Sequence, residues 1–125
     1  RADLGRAMLE GIAAEIVKSV RSLPEKSRNV SKVYIGGGLT KSDLFDQILS
    51  DMLGKTLVRY DDSQATAIGA FISAAVTLGV WPDYRTAFEK AREGARTYVY
   101  EPDKEMYAFY QSVVDDTEAV YEALK

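Results

Sequence analysis

The sequence predicts an α/β fold whose sheet is incomplete within the chain, and three observations carry that expectation. An apolar run, Val33-Tyr34-Ile35, breaks into Gly36-Gly37-Gly38 and then into a helical pattern, which reads as a strand, a tight loop and a helix start. A second short β-type run, Thr56 to Tyr60, follows closely enough to complete a βαβ unit, with parallel strands and a right-handed crossover. Most other apolar residues recur at spacings of three and four, the period of an amphipathic helix. Two parallel strands are not independently stable and leave both edges unpaired. The rest of the sheet is therefore expected upstream.

Each element has a local reason. Leu4, Met8, Leu9, Ile12, Ala13, Ile16, Val17 and Val20 place one apolar face on a helix over 3–23, and Pro24 stops it. The chain opens directly into this helix without a methionine or leader, which fits a piece cut from a longer chain. Residues 24–31 read as a polar connection into a strand at 32–36. Thr40 followed by Asp43 resembles a capping box. Leu44, Phe45, Ile48, Leu49, Met52 and Leu53 then give the apolar face of a helix over 41–53, with Gly54 at the C-cap position. After the strand at 56–60, Asp61-Asp62-Ser63 opens a third helix over 63–78, rich in Ala65, Ala67, Gly69, Ala70, Ser73, Ala74 and Ala75. Gly69 costs about 1 kcal/mol relative to alanine mid-helix, which predicts a close neighbour at that point. Trp81-Pro82-Asp83 turns the chain into a short helix bearing Tyr84, Ala87, Phe88 and Ala91. Residues 94–100 fit either an extended loop or a strand. Pro102-Asp103 starts a last helix whose Tyr107, Tyr110 and Tyr121 read as a packing face rather than a base-stacking platform, for want of a basic groove around them.

Composition bounds the chemistry. At 125 residues one domain is the default. Sixteen basic against nineteen acidic residues give a net charge of −3, so no nucleic-acid partner is expected. No apolar run is long enough to span a membrane, and the expected setting is the cytoplasm. Histidine and cysteine are both absent, which excludes disulfides, Cys/His zinc sites, thiol nucleophiles and Ser-His-Asp hydrolysis by this chain alone.

The functional argument centres on Gly36-Gly37-Gly38. Such a triplet admits positive φ and close approach by another body, and the following helix start favours an anion or nucleotide. The same glycines could instead serve only to bring strand and helix together. The run from Gly36 to Asp51, with Leu39-Thr40-Lys41-Ser42-Asp43-Leu44-Phe45-Asp46-Gln47 at its centre, resembles the C-terminal signature of the FGGY carbohydrate kinases. Ala67-Ile68-Gly69-Ala70, Leu78-Gly79-Val80-Trp81, Arg6 to Ala13, and Pro102-Asp103 with Tyr107 and Tyr110 are similar to further family features in the same order. Gln64 stands where relatives commonly carry Glu, and Phe45 where Trp is frequent.

This resemblance implies the C-terminal part of an actin-like (ribonuclease H-like) ATPase domain. Residues 1–125 would be the C-terminal segment of the second kinase domain, on its nucleotide-binding side. It implies ATP with Mg2+ as cofactors and a sugar or polyol as substrate. Partners would be the missing N-terminal domain and, in some assemblies, further copies of the chain. Gly36, Gly37, Gly38 and Ser42 would bind the nucleotide, with Gly37 and Gly38 beneath base and ribose. Ser42 would lie near the adenine, or would only start the helix. The catalytic base and the sugar-binding residues would lie upstream, so no catalytic residue is assigned here. Asp61 and Asp62 read as helix-capping carboxylates rather than a magnesium pair, and Lys41 as a solvated lysine rather than a phosphate contact. The alternatives are a non-catalytic assembly module and a segment of another actin-like ATPase.

Overall fold

The computed structural model describes residues 2–61 and 65–124. Asp62, Ser63 and Gln64 lie outside the described residues, and with them the second half of the acidic pair, the expected opening of the third helix and the Gln64 departure. The described elements run α1 (Ala2–Arg21), α2 (Glu25–Arg28), β1 (Lys32–Ile35), a 3-10 turn (Leu39–Lys41), α3 (Asp43–Leu53), β2 (Thr56–Tyr60), α4 (Ala65–Thr77), α5 (Tyr84–Ala91), β3 (Thr97–Tyr100) and α6 (Lys104–Ala123). Within the polar connection, α2 forms a single helical turn that composition did not signal.

β1 and β2 pair in parallel, with Val33 opposite Leu57 and Ile35 opposite Arg59. That is the expected βαβ unit. The ambiguous stretch is a strand: β3 pairs antiparallel with β2, placing Tyr98 opposite Arg59 and Tyr100 opposite Leu57. Among the described residues the sheet therefore has three strands in the order β1-β2-β3, and its mixed character replaces the two-stranded parallel expectation. Alternation along β3 has meaning only beside β2, where Tyr100 turns toward the core and Val99 away from it.

α3 packs on one face of this sheet, and α1 and α6 pack on α3 and on each other. Ala13, Ala14 and Val17 of α1, Phe45, Ile48, Leu49 and Met52 of α3, Leu57 of β2, and Tyr110 and Val114 of α6 form the buried cluster. Removing each large side chain here from water contributes about 1.5–3 kcal/mol. The tyrosine face of α6 is narrower than the sequence suggests. Tyr110 is wholly buried, donating to Glu10 at 2.8 Å and accepting from Arg6 at 2.9 Å, whereas Tyr107 and Tyr121 remain exposed.

α1 corrects a second expectation. Leu9, Ala13 and Val17 turn inward, but Leu4 is 69% and Met8 65% exposed, and Ile12 and Ile16 follow them outward. The single predicted face is two stripes one residue apart, hence about 100° apart around the helix. One neighbour cannot cover both. α4 packs on α5, and no described atom lies within 4 Å of a Cβ built at Gly69. The close approach expected at that glycine is therefore not found among the described residues.

The opposite face of the sheet carries Tyr34 and Tyr60, stacked with ring centroids 5.9 Å apart, and Phe88 of α5 meets both rings edge-on. Tyr34 is nevertheless 57% exposed.

Candidate functional site

The junction after β1 is built residue by residue. Gly37 has φ +123°, a conformation that glycine adopts without the Cβ penalty. Gly38 does not need that freedom, because φ −63° and ψ −38° are ordinary helical values. A Cβ built on either would meet nothing within 4 Å, while one on Gly36 would sit 3.5 Å from the Ala65 Cβ at the start of α4. The three glycines therefore differ: Gly36 faces α4, Gly37 makes the turn, and Gly38 begins the 3-10 turn.

The capping box places the helix start two residues early. Thr40 is buried and its hydroxyl donates to the Gly37 carbonyl at 2.9 Å, tying the loop to itself. Ser42 is the N-cap of α3, its Oγ accepting from the Phe45 N–H at 3.3 Å. The 3-10 turn accounts for the displacement, since it uses Leu39 to Lys41 before the α-helical bonds begin.

Beside this junction lies a hollow of about 450 Å³, at the carboxyl ends of the two parallel strands. That is where open α/β sheets bind ligands, and the volume falls within the ~300–1,000 Å³ range of small-molecule sites. Gly37, Thr40, Lys41 and Asp43 line it from the loop and the start of α3, and Arg59, Tyr60, Asp61 and Tyr98 from β2, the residue after it and β3. Of the sequence-predicted binding residues, the structure brings Gly37 to this lining. Gly36, Gly38 and Ser42 stand next to it in the chain without being among the lining residues.

The hollow is backed by a polar lattice. Arg59 donates through Nε to Asp46 Oδ2 at 2.9 Å and through Nη2 to Asp43 Oδ1 at 2.9 Å and to the Tyr100 hydroxyl at 2.9 Å. The Tyr100 hydroxyl in turn donates to Asp43 Oδ1 at 2.7 Å. The Arg59 guanidinium also lies 4.2 Å from the centroid of the Tyr98 ring. Asp46 is wholly buried, and among the described residues its Oδ1 has no hydrogen-bond partner. Burial pushes the Asp46 carboxyl above its ordinary value, against the opposing pull of Arg59. Burial also raises the Tyr100 hydroxyl, and its hydrogen bond to Asp43 acts in the same direction.

Arg59, Asp46, Tyr98 and Tyr100 escaped the sequence reading. One signal was present. An arginine inside the apolar strand Leu57-Val58-Arg59-Tyr60 requires a paired carboxylate, and Asp43 and Asp46 stand three apart, on one helix face. Among the described residues no three Asp, Glu, His or Cys gather as a metal-ligand set. Nor does any helix have the length and apolarity to cross a membrane.

Residues 1–78 match the sequence model described as "FGGY family of carbohydrate kinases, C-terminal domain". Autoinducer-2 kinase of Salmonella paratyphi A is 34% identical over 124 residues, 98% of this chain and 23% of that protein. Xylulose kinase of Staphylococcus epidermidis is 27% identical over 128 residues, 100% of this chain and 25% of that protein. The chain thus spans about a quarter of the length of these curated relatives. Among solved structures, ligand-bound xylulose kinase from Lactobacillus acidophilus superposes with a TM-score of 0.81 over 97% of this chain and 24% of that one, at 23% identity. The family match covers well over half of the residues and includes the glycine loop: the chain belongs to the FGGY family of carbohydrate kinases.

Proposed function

We propose that this chain is the nucleotide-binding C-terminal segment, residues 1–125, of a kinase that transfers the γ-phosphoryl group of ATP to a sugar or polyol hydroxyl. The observation that carries the reading is the hollow at the carboxyl ends of β1 and β2, edged by the positive-φ Gly37 in a chain of this family. Gly36, Gly37, Gly38 and Ser42 would contact the adenosine. The bare backbone of the loop lets a flat base approach within van der Waals distance. Ser42 uses one acceptor lone pair for its cap, which leaves its O–H and its second lone pair for the nucleotide. Mg2+ would accompany the triphosphate.

In this reading the chain positions a substrate rather than activating a nucleophile. Phosphoryl transfer is governed by alignment and by stabilisation of charge on the transferring group. A held adenosine supplies alignment. The general base and the sugar contacts would come from the upstream part of the protein, as would the closure that excludes water.

Gly38→Asp tests the reading cleanly, because its helical dihedrals and the open space beside it admit a side chain without strain. In the whole kinase this substitution raises the KM for ATP more than the KM for the sugar. An unchanged ATP KM contradicts the reading.

A second reading, a non-catalytic assembly module, draws on the exposed stripe of Leu4, Met8, Ile12 and Ile16 along α1. Contiguous apolar surface of this kind marks an interaction face. Sedimentation across concentration decides it: a stable dimer of the chain at low micromolar concentration supports assembly, and a monomer throughout removes it.

A further inference from the structure

The glycine loop supplies only part of the lining of the hollow, and β2 and β3, the strands that follow β1 across the sheet, supply another part. β3 lies beyond the 1–78 span of the family match. Tyr98 is half-buried there and lines the hollow together with Lys41 and Gly37. Its register partner Arg59 also lines the hollow and holds its guanidinium 4.2 Å from the Tyr98 ring centroid.

Arg59 cannot swing freely. Asp46 and Asp43 hold two of its nitrogens, and the Tyr100 hydroxyl takes a further hydrogen bond. Asp46 is itself fixed inside the first turns of α3 and wholly buried. The exposed Arg96 guanidinium also lies over this ring, 5.2 Å from its centroid, and a stacked base would displace it. A phenol ring beside a clamped guanidinium is a preorganised flat surface with little rotamer entropy left to lose on binding. Purine bases stack on aromatic rings and on arginine planes alike.

Resting on the nucleotide-binding reading above, we propose that Tyr98 and Arg59 are further nucleotide-binding residues, forming the wall against which the purine base is held beside the glycine loop. Tyr98 provides the aromatic surface. Arg59 orients it, and the Asp43–Asp46–Tyr100 lattice keeps Arg59 in place. β3 thereby becomes part of the nucleotide site rather than only an edge strand.

The test is the affinity of the whole protein for MgADP, measured by calorimetry, with magnesium tripolyphosphate as a probe that lacks the base. Tyr98→Leu keeps an apolar, strand-compatible side chain and removes the ring. It weakens MgADP binding about tenfold, in line with the loss of one base–aromatic stack, and leaves tripolyphosphate binding unchanged. Tyr98→Phe keeps the ring and binds MgADP within about twofold of the wild type, since only the hydroxyl is lost. Wild-type affinity in Tyr98→Leu, with Gly38→Asp weakened, overturns the proposal while leaving the nucleotide reading in place. Equal weakening of MgADP and tripolyphosphate also overturns it, because the base would then not be what Tyr98 holds. If Gly38→Asp and Tyr98→Leu both bind as the wild type does, the nucleotide reading fails and this proposal falls with it.

Discussion

Asp46 and Arg59 set the character of the site at the scale of single residues. A wholly buried carboxylate costs several kcal/mol unless it is paired, and here one oxygen is paired with Arg59 while the other has no partner among the described residues. Burial accordingly raises the carboxyl above its ordinary value of 3.8. The folded protein then holds this proton more tightly than the unfolded chain does. Asp46 therefore contributes stability that is fully present below pH 3.8 and is lost as pH rises through the elevated folded value. Thermal melts of the wild type and Asp46→Asn across pH isolate the effect, because the other carboxylates are common to both. The advantage of the wild type over the variant is greatest in acid and shrinks as pH rises above about 4. Parallel pH profiles would show that Asp46 titrates as an ordinary carboxyl.

At the scale of elements, helix ends are where sequence and structure agree most closely and also where they part. Asp103 caps α6 as expected, accepting from the Glu105 N–H at 2.8 Å and the Met106 N–H at 3.0 Å. Its own N–H is held by Asp51 Oδ1 at 2.9 Å, so the start of α6 is tied to α3. Asp103→Ala keeps that backbone tie and deletes the cap, lowering stability by about 1 kcal/mol, read as a shift in the denaturation midpoint at constant m-value. Gly54 likewise ends α3 with φ +63°, where the sequence places a C-cap. These features were legible because a cap is a contract between residues a few positions apart. The start of α3 was displaced because a 3-10 turn and an α-helical first turn carry the same residue types. β3 was ambiguous because its partner, β2, lies some forty residues earlier in the chain. The wall of the hollow was missed for the same reason: Arg59, Tyr98 and Tyr100 become neighbours only through the antiparallel register.

Across the whole molecule, α1 leaves one stripe of its apolar residues outside the buried cluster. The core formed by α1, α3, α6 and the sheet is closed. Yet β1 is an edge strand among the described residues, Tyr34 is more than half exposed even with Phe88 edge-on to its ring, and Met8 and Leu4 point outward. The relatives are about four times as long as this chain. An amide NMR titration of the chain with MgADP, carried to millimolar nucleotide, tests the proposed nucleotide site, since a dispersed spectrum reports the fold in the same experiment. Saturable shifts centred on Gly36 to Ser42 and extending across the hollow to Asp61 and Tyr98 are expected. A well-dispersed spectrum in which those amides do not move would contradict that site.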